Sequence, residues 1–386
     1  MDFTWSPRAE QMRAEMAEFL AVHLPPELEE QMYATGVMHD DAFVRALAER
    51  DWIVPGRDPD GPGAELDADA IHVLGDALTR ADAPFYAIST TVMVAKVIEH
   101  VGSDFLKETI VPPAMRGEIT IALGMSEPEA GSDVAAVQTR ARRDGDQWII
   151  DGQKMFTTNG HITDYVFLLA RTNPDVANHK GLTTFLVPLD VPGFEAQAVY
   201  TLSGERTNIT FYSDLRLDDR WRIGDVDGGW GALMISLQDE HSFGFSPNLG
   251  RQLDAVEAWA ATPDPVSGRR PIDDDDVRLG LTRAAAELEV AQLLEQRVTW
   301  MESIGEVPVA EGPMAKLYGT EAIVRHAEAL TELVGPDALR SRLDPTALEA
   351  GRIEHGLRFS LGTTIYAGTS EIQRNIIAQR ACGLPR

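Results

Sequence analysis

The sequence predicts an α+β protein made of three successive segments: helical, then β, then helical. Apolar residues recur at helical spacing over residues 1–117 and again over 226–386. Between them, over 118–225, short β-branched and aromatic runs are bounded by Asp-Gly, Asn-Gly and Pro turns. Grouped strands argue against a doubly wound sheet, in which strands and helices alternate. We therefore expect an N-terminal helical domain, a middle antiparallel β domain and a C-terminal helical domain.

The first segment contains a clear amphipathic helix. Met12, Met16, Phe19 and Leu20 are spaced i, i+4, i+7 and i+8, which places them on one helix face, and a Pro-Pro pair ends the pattern. Further helices are predicted in four windows, 41–52, 67–80, 86–101 and 103–115.

The middle segment predicts short strands, and the last predicts long helices. After the Gly-rich run at 225–231 the helical period returns, and its main interruption is residues 262–276. The prolines and acidic run of that stretch predict a surface loop between two long helices. The predicted strands are 119–123, 148–150, 165–170, 182–187 and 209–212.

Composition excludes several classes of protein. The 61 acidic residues exceed the 34 basic ones, giving a net charge of −27, and Lys and Arg are not clustered. Nucleic acid and anionic membranes are therefore not expected partners. No apolar run approaches the ~20 residues of a membrane span, and the first residues lack the basic stretch of a signal peptide, so we expect a cytoplasmic protein. Cys382 is the single cysteine, which excludes an intramolecular disulfide and a cysteine-based zinc site.

Common cofactor motifs are missing from the sequence. It has no GxGxxG after a strand, no GxxxxGK[ST] and no HExxH. The nine histidines are scattered without metal-ligand spacing, so no metal site is expected.

The most informative residues are LGMSEPEAGSD at 123–133 and DGQKMFTTNG at 151–160. Both stretches place small hydroxyl side chains beside predicted strands, and Gly131 allows a ligand to approach the backbone closely. This suits a flat polar ring system that carries a phosphate. Either stretch alone is better explained as an ordinary turn or hairpin, but the order and spacing of the two together are far more specific.

Together the two stretches resemble the flavin-contacting signatures of the acyl-CoA dehydrogenase family. The run YAGTSEIQRNIIAQR at 366–380 resembles the third signature of that family. The resemblance covers the whole chain, including its length and its order of segments. It implies the family fold, with a C-terminal four-helix bundle and FAD between the last two domains.

The resemblance also implies which residues bind FAD. Leu123, Met125 and Ser126 would lie along the flavin ring, with the Ser126 hydroxyl on its pyrimidine side. Gly131 and Ser132 would approach the pyrophosphate, and Ser132 would also touch the acyl-CoA.

Two further pieces complete this implied FAD site. Phe156 stands where the family usually has a Trp stacked on the isoalloxazine, and Thr158 would bond near flavin N5. Thr369 and Glu371 of the GTSE turn match contacts to the adenosine side.

The catalytic base departs from the usual family pattern. Most members carry a Glu before the Gly-Thr of the third signature, where this chain has Ala367. A subset that includes isovaleryl-CoA and long-chain enzymes carries the Glu on the first helix after the β domain, in a sequence like LxxER. This chain reads LQDEH there, so the resemblance assigns the base to Glu240 and a substrate contact to His241.

The residue pattern around Glu240 has two interpretations. Leu233, Leu237 and Glu240 fall on one helix face, and a carboxyl buried there would have a raised pKa, as a general base working near neutrality requires. The pattern alone favours the second interpretation, a solvated helical turn over residues 238–241, whereas the family resemblance favours Glu240 as the base.

The motifs expected at the subunit interface are the second departure from the usual family pattern. Family homotetramers complete each FAD site across an interface with an RxxFG motif and a QxxGGxG motif. Here TPDPVSGRRP and ELVGPDA replace them, so the cationic partner of the FAD pyrophosphate is missing and another chain would supply it. This combination resembles subunits of actinobacterial acyl-CoA dehydrogenases that act on steroid side chains as heterotetramers of two related chains.

These observations predict a flavoprotein that forms a trans-2,3-enoyl-CoA. Glu240 would take the α-proton, while the backbone N–H of Ala367 and a ribityl hydroxyl of FAD polarise the thioester carbonyl. Electrons would pass to an electron-transfer flavoprotein or to O2. The alternative, motivated by Ala367, is a catalytically silent subunit that completes the FAD site of a related partner chain in a 2:2 complex.

Overall fold

The computed structural model describes residues 3–239 and 244–385. These residues form two compact units, each assembled from separate stretches of chain. The bundle unit comprises the described residues of 1–20, 66–82 and 241–386, and the sheet unit those of 21–65 and 83–240. Within the described chain no helix is long and apolar enough to cross a bilayer.

The helices largely follow the predicted windows. Window 103–115 is the exception, because it contains two helices that meet at Ile110, just before the prolines of VPPAM. Proline at the start of a helix is favourable, whereas inside one it removes a hydrogen bond. In chain order the helices are α1 (Pro7–His23), α2 (Pro26–Thr35), α3 (Asp41–Ala48), α4 (Ala68–Arg80), α5 (Tyr86–Val101), α6 (Asp104–Thr109), α7 (Val111–Met115), α8 (Gly229–Asp239), α9 (Ser246–Ala261), α10 (Asp275–Ser303), α11 (Glu311–Val334), α12 (Arg352–Thr363) and α13 (Ser370–Arg380).

The strands form a single mixed sheet in the order β6-β7-β3-β2-β4-β5-β8, with β1 paired to β4. The expectation of an antiparallel domain needs correction at two pairs, since β1 and β2 both run parallel to β4. The β2-β3 hairpin lies between β1 and β4 in sequence and gives the long connection that a parallel pair requires. The strands are β1 (Ile121–Gly124), β2 (Arg140–Asp144), β3 (Gln147–Lys154), β4 (Tyr165–Arg171), β5 (Leu182–Pro188), β6 (Phe194–Tyr200), β7 (Arg206–Asp218) and β8 (Arg222–Ile223).

Helix α5 packs on β1 and fixes the strand that leads into the first motif. Val97 and Ile98 are buried against Ile121 and Phe167. The Thr91 hydroxyl accepts a hydrogen bond from the backbone N–H of Ile121 at 2.7 Å. The position at which β1 ends is therefore set by both packing and hydrogen bonding.

The bundle unit is built around α9, α10, α11 and α12, in agreement with the four-helix bundle that the family resemblance implied. Its core includes Leu253, Leu281 and Ile323. Residues 262–274 connect α9 to α10 as an exposed segment, which confirms the predicted surface loop.

A buried carboxylate caps α9. Glu295 of α10 accepts hydrogen bonds from the backbone N–H of Phe245 at 2.7 Å and of Ser246 at 2.9 Å, and from the Ser246 hydroxyl at 2.6 Å. Burial raises the pKa of Glu295 to about 7 despite these donors. The start of α9 is thereby held within the bundle unit.

Candidate active site

A buried ion pair joins the two motifs of the β segment. Lys154, at the end of β3, donates to the Glu127 carboxylate at 2.8 Å and to the Met125 carbonyl at 3.0 Å. The Lys154 side chain is 0% exposed and that of Glu127 is 6% exposed. Beside this pair the Met155 N–H donates to the Ser126 carbonyl at 2.9 Å. The turn after β1 and the end of β3 are therefore fixed against one another.

Glu127 also closes its own loop. Its carboxylate accepts the backbone N–H of Gln138 at 2.6 Å and of Thr139 at 2.9 Å, which ties residues 127–139 into one turn. Burial alone would raise the pKa of Glu127, but Lys154 and the N–H donors outweigh it and hold that pKa below its usual value. Burial lowers the pKa of Lys154 to about 8, so both groups are charged near neutrality.

The loop closed by Glu127 presents polar groups to its surroundings. Ser126 is half-buried, Gly131 and Ser132 are exposed, and neither serine hydroxyl has a hydrogen-bond partner in the described chain. A Cβ placed on Gly131 would meet nothing within 4 Å. Leu123 and Met125 are half-buried on the same segment.

The second motif presents an aromatic ring on a rigid turn. Phe156 is 61% exposed and has φ +59°. Asn208 of β7 holds the next residue, because its carbonyl accepts the Thr157 N–H at 2.9 Å and its side-chain amide donates to the Thr157 carbonyl at 2.9 Å. Thr158 is exposed, and its hydroxyl lies 3.2 Å from that of Thr207.

The third motif forms a turn in the bundle unit, between α12 and α13. Ala367 has φ +54°, and Gly368 has φ +80°. The carbonyl of Ala367 accepts from the Gln373 side chain at 2.9 Å, and that of Gly368 accepts from Lys316 at 2.8 Å. Among the described residues no acceptor is found for the Ala367 N–H. Thr369 caps α13 by accepting the Ile372 N–H at 3.3 Å.

The predicted site residues fall into separate groups. Those of the first two motifs cluster in the sheet unit, where the Lys154–Glu127 pair brings them together. Ala367, Thr369 and the exposed Glu371 lie together in the bundle unit. Glu240 and His241 lie outside the described residues.

The residues that hold these turns were not given roles in the sequence analysis. They are Glu127, Lys154, Asn208, Lys316 and Gln373, all of them buried. They could have been identified as charged or amide side chains on a face that is otherwise buried. Lys316, for example, lies on α11 beside small buried residues. In the described part of the chain, no group of His, Cys, Asp and Glu could hold a metal ion.

Comparison with known proteins identifies the family. Residues 6–118 match the acyl-CoA dehydrogenase N-terminal domain, 122–219 the middle domain and 228–382 the C-terminal domain. The chain belongs to the acyl-CoA dehydrogenase family. Members of this family are oxidoreductases that act on CH–CH groups, and they are generally FAD flavoproteins.

Three relatives illustrate the similarity. Acyl-CoA dehydrogenase FadE26 of Mycobacterium tuberculosis is 32% identical over 100% of this chain and 99% of its own length. A chain of the ChsE4-ChsE5 complex from Mycobacterium tuberculosis is 32% identical with a TM-score of 0.90, and both chains are covered completely. A chain of the Tcur3481-Tcur3483 steroid ACAD is 30% identical with a TM-score of 0.90, again with complete coverage of both.

The groups presented by these turns are of the kind that binding of FAD requires. A flavin ring and a diphosphate need hydrogen-bond donors and close approach to the backbone. The hydroxyls of Ser126 and Ser132, which have no partner within residues 3–239 and 244–385, offer the donors, and the open space at Gly131 allows the approach. At the start of α13, Ser370 Oγ and Gln373 Oε1 are buried without a partner in the described chain. Buried polar atoms of this kind are costly unless a ligand or water satisfies them.

We predict an asymmetric response to breaking the Lys154–Glu127 pair. Glu127→Gln leaves a buried ammonium without its counter-charge and should lower the free energy of unfolding by about 3–5 kcal/mol. Lys154→Met leaves the carboxylate bound to two N–H groups, so the loss should be about 1–3 kcal/mol. Denaturant titration measures both losses.

Glu118→Gln is the matched control for this prediction. It removes one partner of the Arg116–Glu118 pair, whose side chains are 58% and 54% exposed, and should leave the unfolding midpoint unchanged. Equal effects of Glu127→Gln and Glu118→Gln would contradict a stabilising role for the buried pair.

Proposed function

We propose that this chain is an FAD-dependent acyl-CoA dehydrogenase that forms a trans-2,3-enoyl-CoA. The observation that carries the proposal is the pair of rigid turns around Lys154 and Glu127. They present an exposed Phe156 and serine hydroxyls that have no partner among the described residues. Such groups suit an aromatic, hydrogen-bonding cofactor. Family membership makes that cofactor FAD.

In this proposal the predicted residues bind FAD through three motifs. Ser126 bonds the pyrimidine side of the ring, Gly131 and Ser132 approach the pyrophosphate, and Phe156 stacks on the isoalloxazine. The hydroxyl of Thr158 bonds near N5. Leu123 and Met125 line the ring, while Thr369 and Glu371 contact the adenosine side.

The protein supplies a base and a carbonyl-binding group. Glu240 removes the α-proton of the acyl-CoA, and His241 and Ser132 contact the substrate. The Ala367 N–H polarises the thioester carbonyl, and its lack of an acceptor within the described chain supports this role. Bound FAD would supply the acceptor for the β-hydrogen, and an electron-transfer flavoprotein would then take the electrons.

A second candidate function is a silent subunit that completes a partner's FAD site. Ala367 favours it, because the usual family carboxylate is absent there. The organised turns at Ser126 and Phe156 favour an enzyme, since a silent subunit would not need them in this form.

We predict that the Glu240→Gln variant binds FAD, but that acyl-CoA reduces this FAD slowly. The substitution keeps the size and hydrogen bonding of the side chain and removes the carboxylate, so anaerobic flavin reduction by acyl-CoA should fall by about 100-fold or more. Stopped-flow absorbance measures the rate, and Ala367→Glu in the Glu240→Gln background tests whether a carboxylate at the usual position restores it. A rate within about threefold of wild type would place the base elsewhere.

The proposed substrate is a bulky, steroid side-chain acyl-CoA. The relative described as a steroid ACAD supports this choice. We predict that a polycyclic acyl-CoA reduces the flavin at least ~10-fold more efficiently than butyryl-CoA, which corresponds to about 1.4 kcal/mol of transition-state binding. Efficient turnover of butyryl-CoA would reject the bulky substrate and leave the reaction class intact.

We further propose a 2:2 complex with a related acyl-CoA dehydrogenase chain. The segment that replaces the RxxFG motif is exposed, and its Arg270 pairs with Asp273 at 2.8 Å. A neighbouring copy of this chain would therefore offer no motif-matched cation to the FAD pyrophosphate. The ChsE4-ChsE5 complex, one chain of which is similar to this one, supports a partner of the same family.

We predict weak FAD binding by this chain alone. Each missing charge-assisted hydrogen bond costs about 1.5–3 kcal/mol, or roughly a 10- to 100-fold loss of affinity. The protein expressed alone should be colourless or partly flavinated, whereas co-expression with a related chain that carries RxxFG should give a yellow 2:2 complex. Light scattering and flavin absorbance measure both properties. Stoichiometric FAD in a homotetramer would contradict the proposal and point to Arg269, Arg270 or Arg283 as the substitute cation.

A further inference from the structure

A buried lysine lies beneath the turn of the third motif. Lys316 is on α11 and is 2% exposed. Its ammonium donates to the Gly368 carbonyl at 2.8 Å and lies 5.8 Å from the centre of the Phe245 ring. Lysine is rarely buried in this way, because removing an ammonium from water is costly.

Lys316 acts on the turn together with Gln373. The Gln373 amide donates to the Ala367 carbonyl at 2.9 Å and also approaches the Gly368 carbonyl at 3.4 Å. Two successive peptide planes after Ala367 are thus held from inside the bundle unit. These bonds restrain the turn in which Ala367 has a left-handed conformation, with φ +54°.

We propose that Lys316 is a positioning residue for the thioester carbonyl, an inference that rests on the proposed function. By binding the Gly368 carbonyl, Lys316 holds the turn so that the Ala367 N–H faces the substrate oxygen. Its positive charge polarises the same turn, which favours the negative charge that develops on that oxygen as the α-proton leaves. Lys316 touches neither substrate nor flavin in this role.

The docking of α13 does not depend on Lys316 alone. Arg374 of α13 pairs with Glu321 of α11 at 2.7 Å, and Thr369 caps the first turn of α13. Variants at position 316 should therefore fold with α13 in place, which makes the proposal open to test.

The test uses the flavin-loaded complex with Lys316→Met and Lys316→Gln. Methionine fills a similar volume without charge or donor, whereas glutamine keeps a donor without charge. We expect flavin reduction to fall by about 10- to 100-fold in Lys316→Met and by less in Lys316→Gln, with the Kd for the enoyl-CoA product changed less than threefold. The exposed Lys180→Met is the control for net charge and should behave as wild type.

A spectroscopic readout separates positioning from general damage. The carbonyl stretch of bound, 13C-labelled enoyl-CoA reports how strongly the thioester oxygen is polarised. In Lys316→Met we expect this band to move toward its position in free enoyl-CoA, with flavin content unchanged. A full rate, or a slow rate with an unshifted band, would overturn the inference, as would loss of flavin in both variants.

The proposed function and this inference fail in different ways. If wild-type complex is not reduced by any acyl-CoA, the proposed function fails. The carbonyl band of bound enoyl-CoA can still be measured in that case, and a band equal in wild type and Lys316→Met would then reject the role of Lys316 independently.

Discussion

The ion pair between Lys154 and Glu127 is the constraint on which the two motif turns of the sheet unit depend. It joins a turn that follows β1 to the end of β3, and the same carboxylate closes the loop onto β2. Ala130 and Val137 give the first turn buried apolar contacts, but such contacts are not directional. A buried charged pair is directional, because few arrangements of the two turns satisfy both its charges and its hydrogen bonds.

Backbone groups carry much of the proposed chemistry, and buried side chains aim them. In the sheet unit Asn208 binds both the N–H and the carbonyl of Thr157, which holds the turn that presents Phe156. In the bundle unit Lys316 and Gln373 hold the carbonyls of the third motif. A donor that belongs to the main chain does not depend on the side chain, so Ala367 keeps the N–H that the proposed mechanism uses.

Periodicity and motif order were sufficient to predict the fold, because both are local properties of the sequence. The helices of the bundle and strands such as β4 and β5 lie where apolar spacing indicates. The residue pattern did not predict that β1 pairs in parallel with β4 or that β6 is an exposed edge strand. Neither the partner of a strand nor a solvated edge gives a clear sequence pattern. The supporting residues escaped prediction for a related reason: Lys316 and the carbonyl it binds are 52 residues apart, and a carbonyl acceptor has no residue-type signature.

The left-handed backbone of Ala367 has a consequence for the stiffness of this turn. Glycine would adopt φ +54° without strain, whereas alanine there costs roughly 1–2 kcal/mol. Glycine would also enlarge the set of conformations open to the unfolded and the native turn. Compared with glycine, alanine at position 367 costs a small strain and restricts the turn to fewer conformations. Alanine can thus keep this turn stiff although its side chain takes no part in the proposed chemistry.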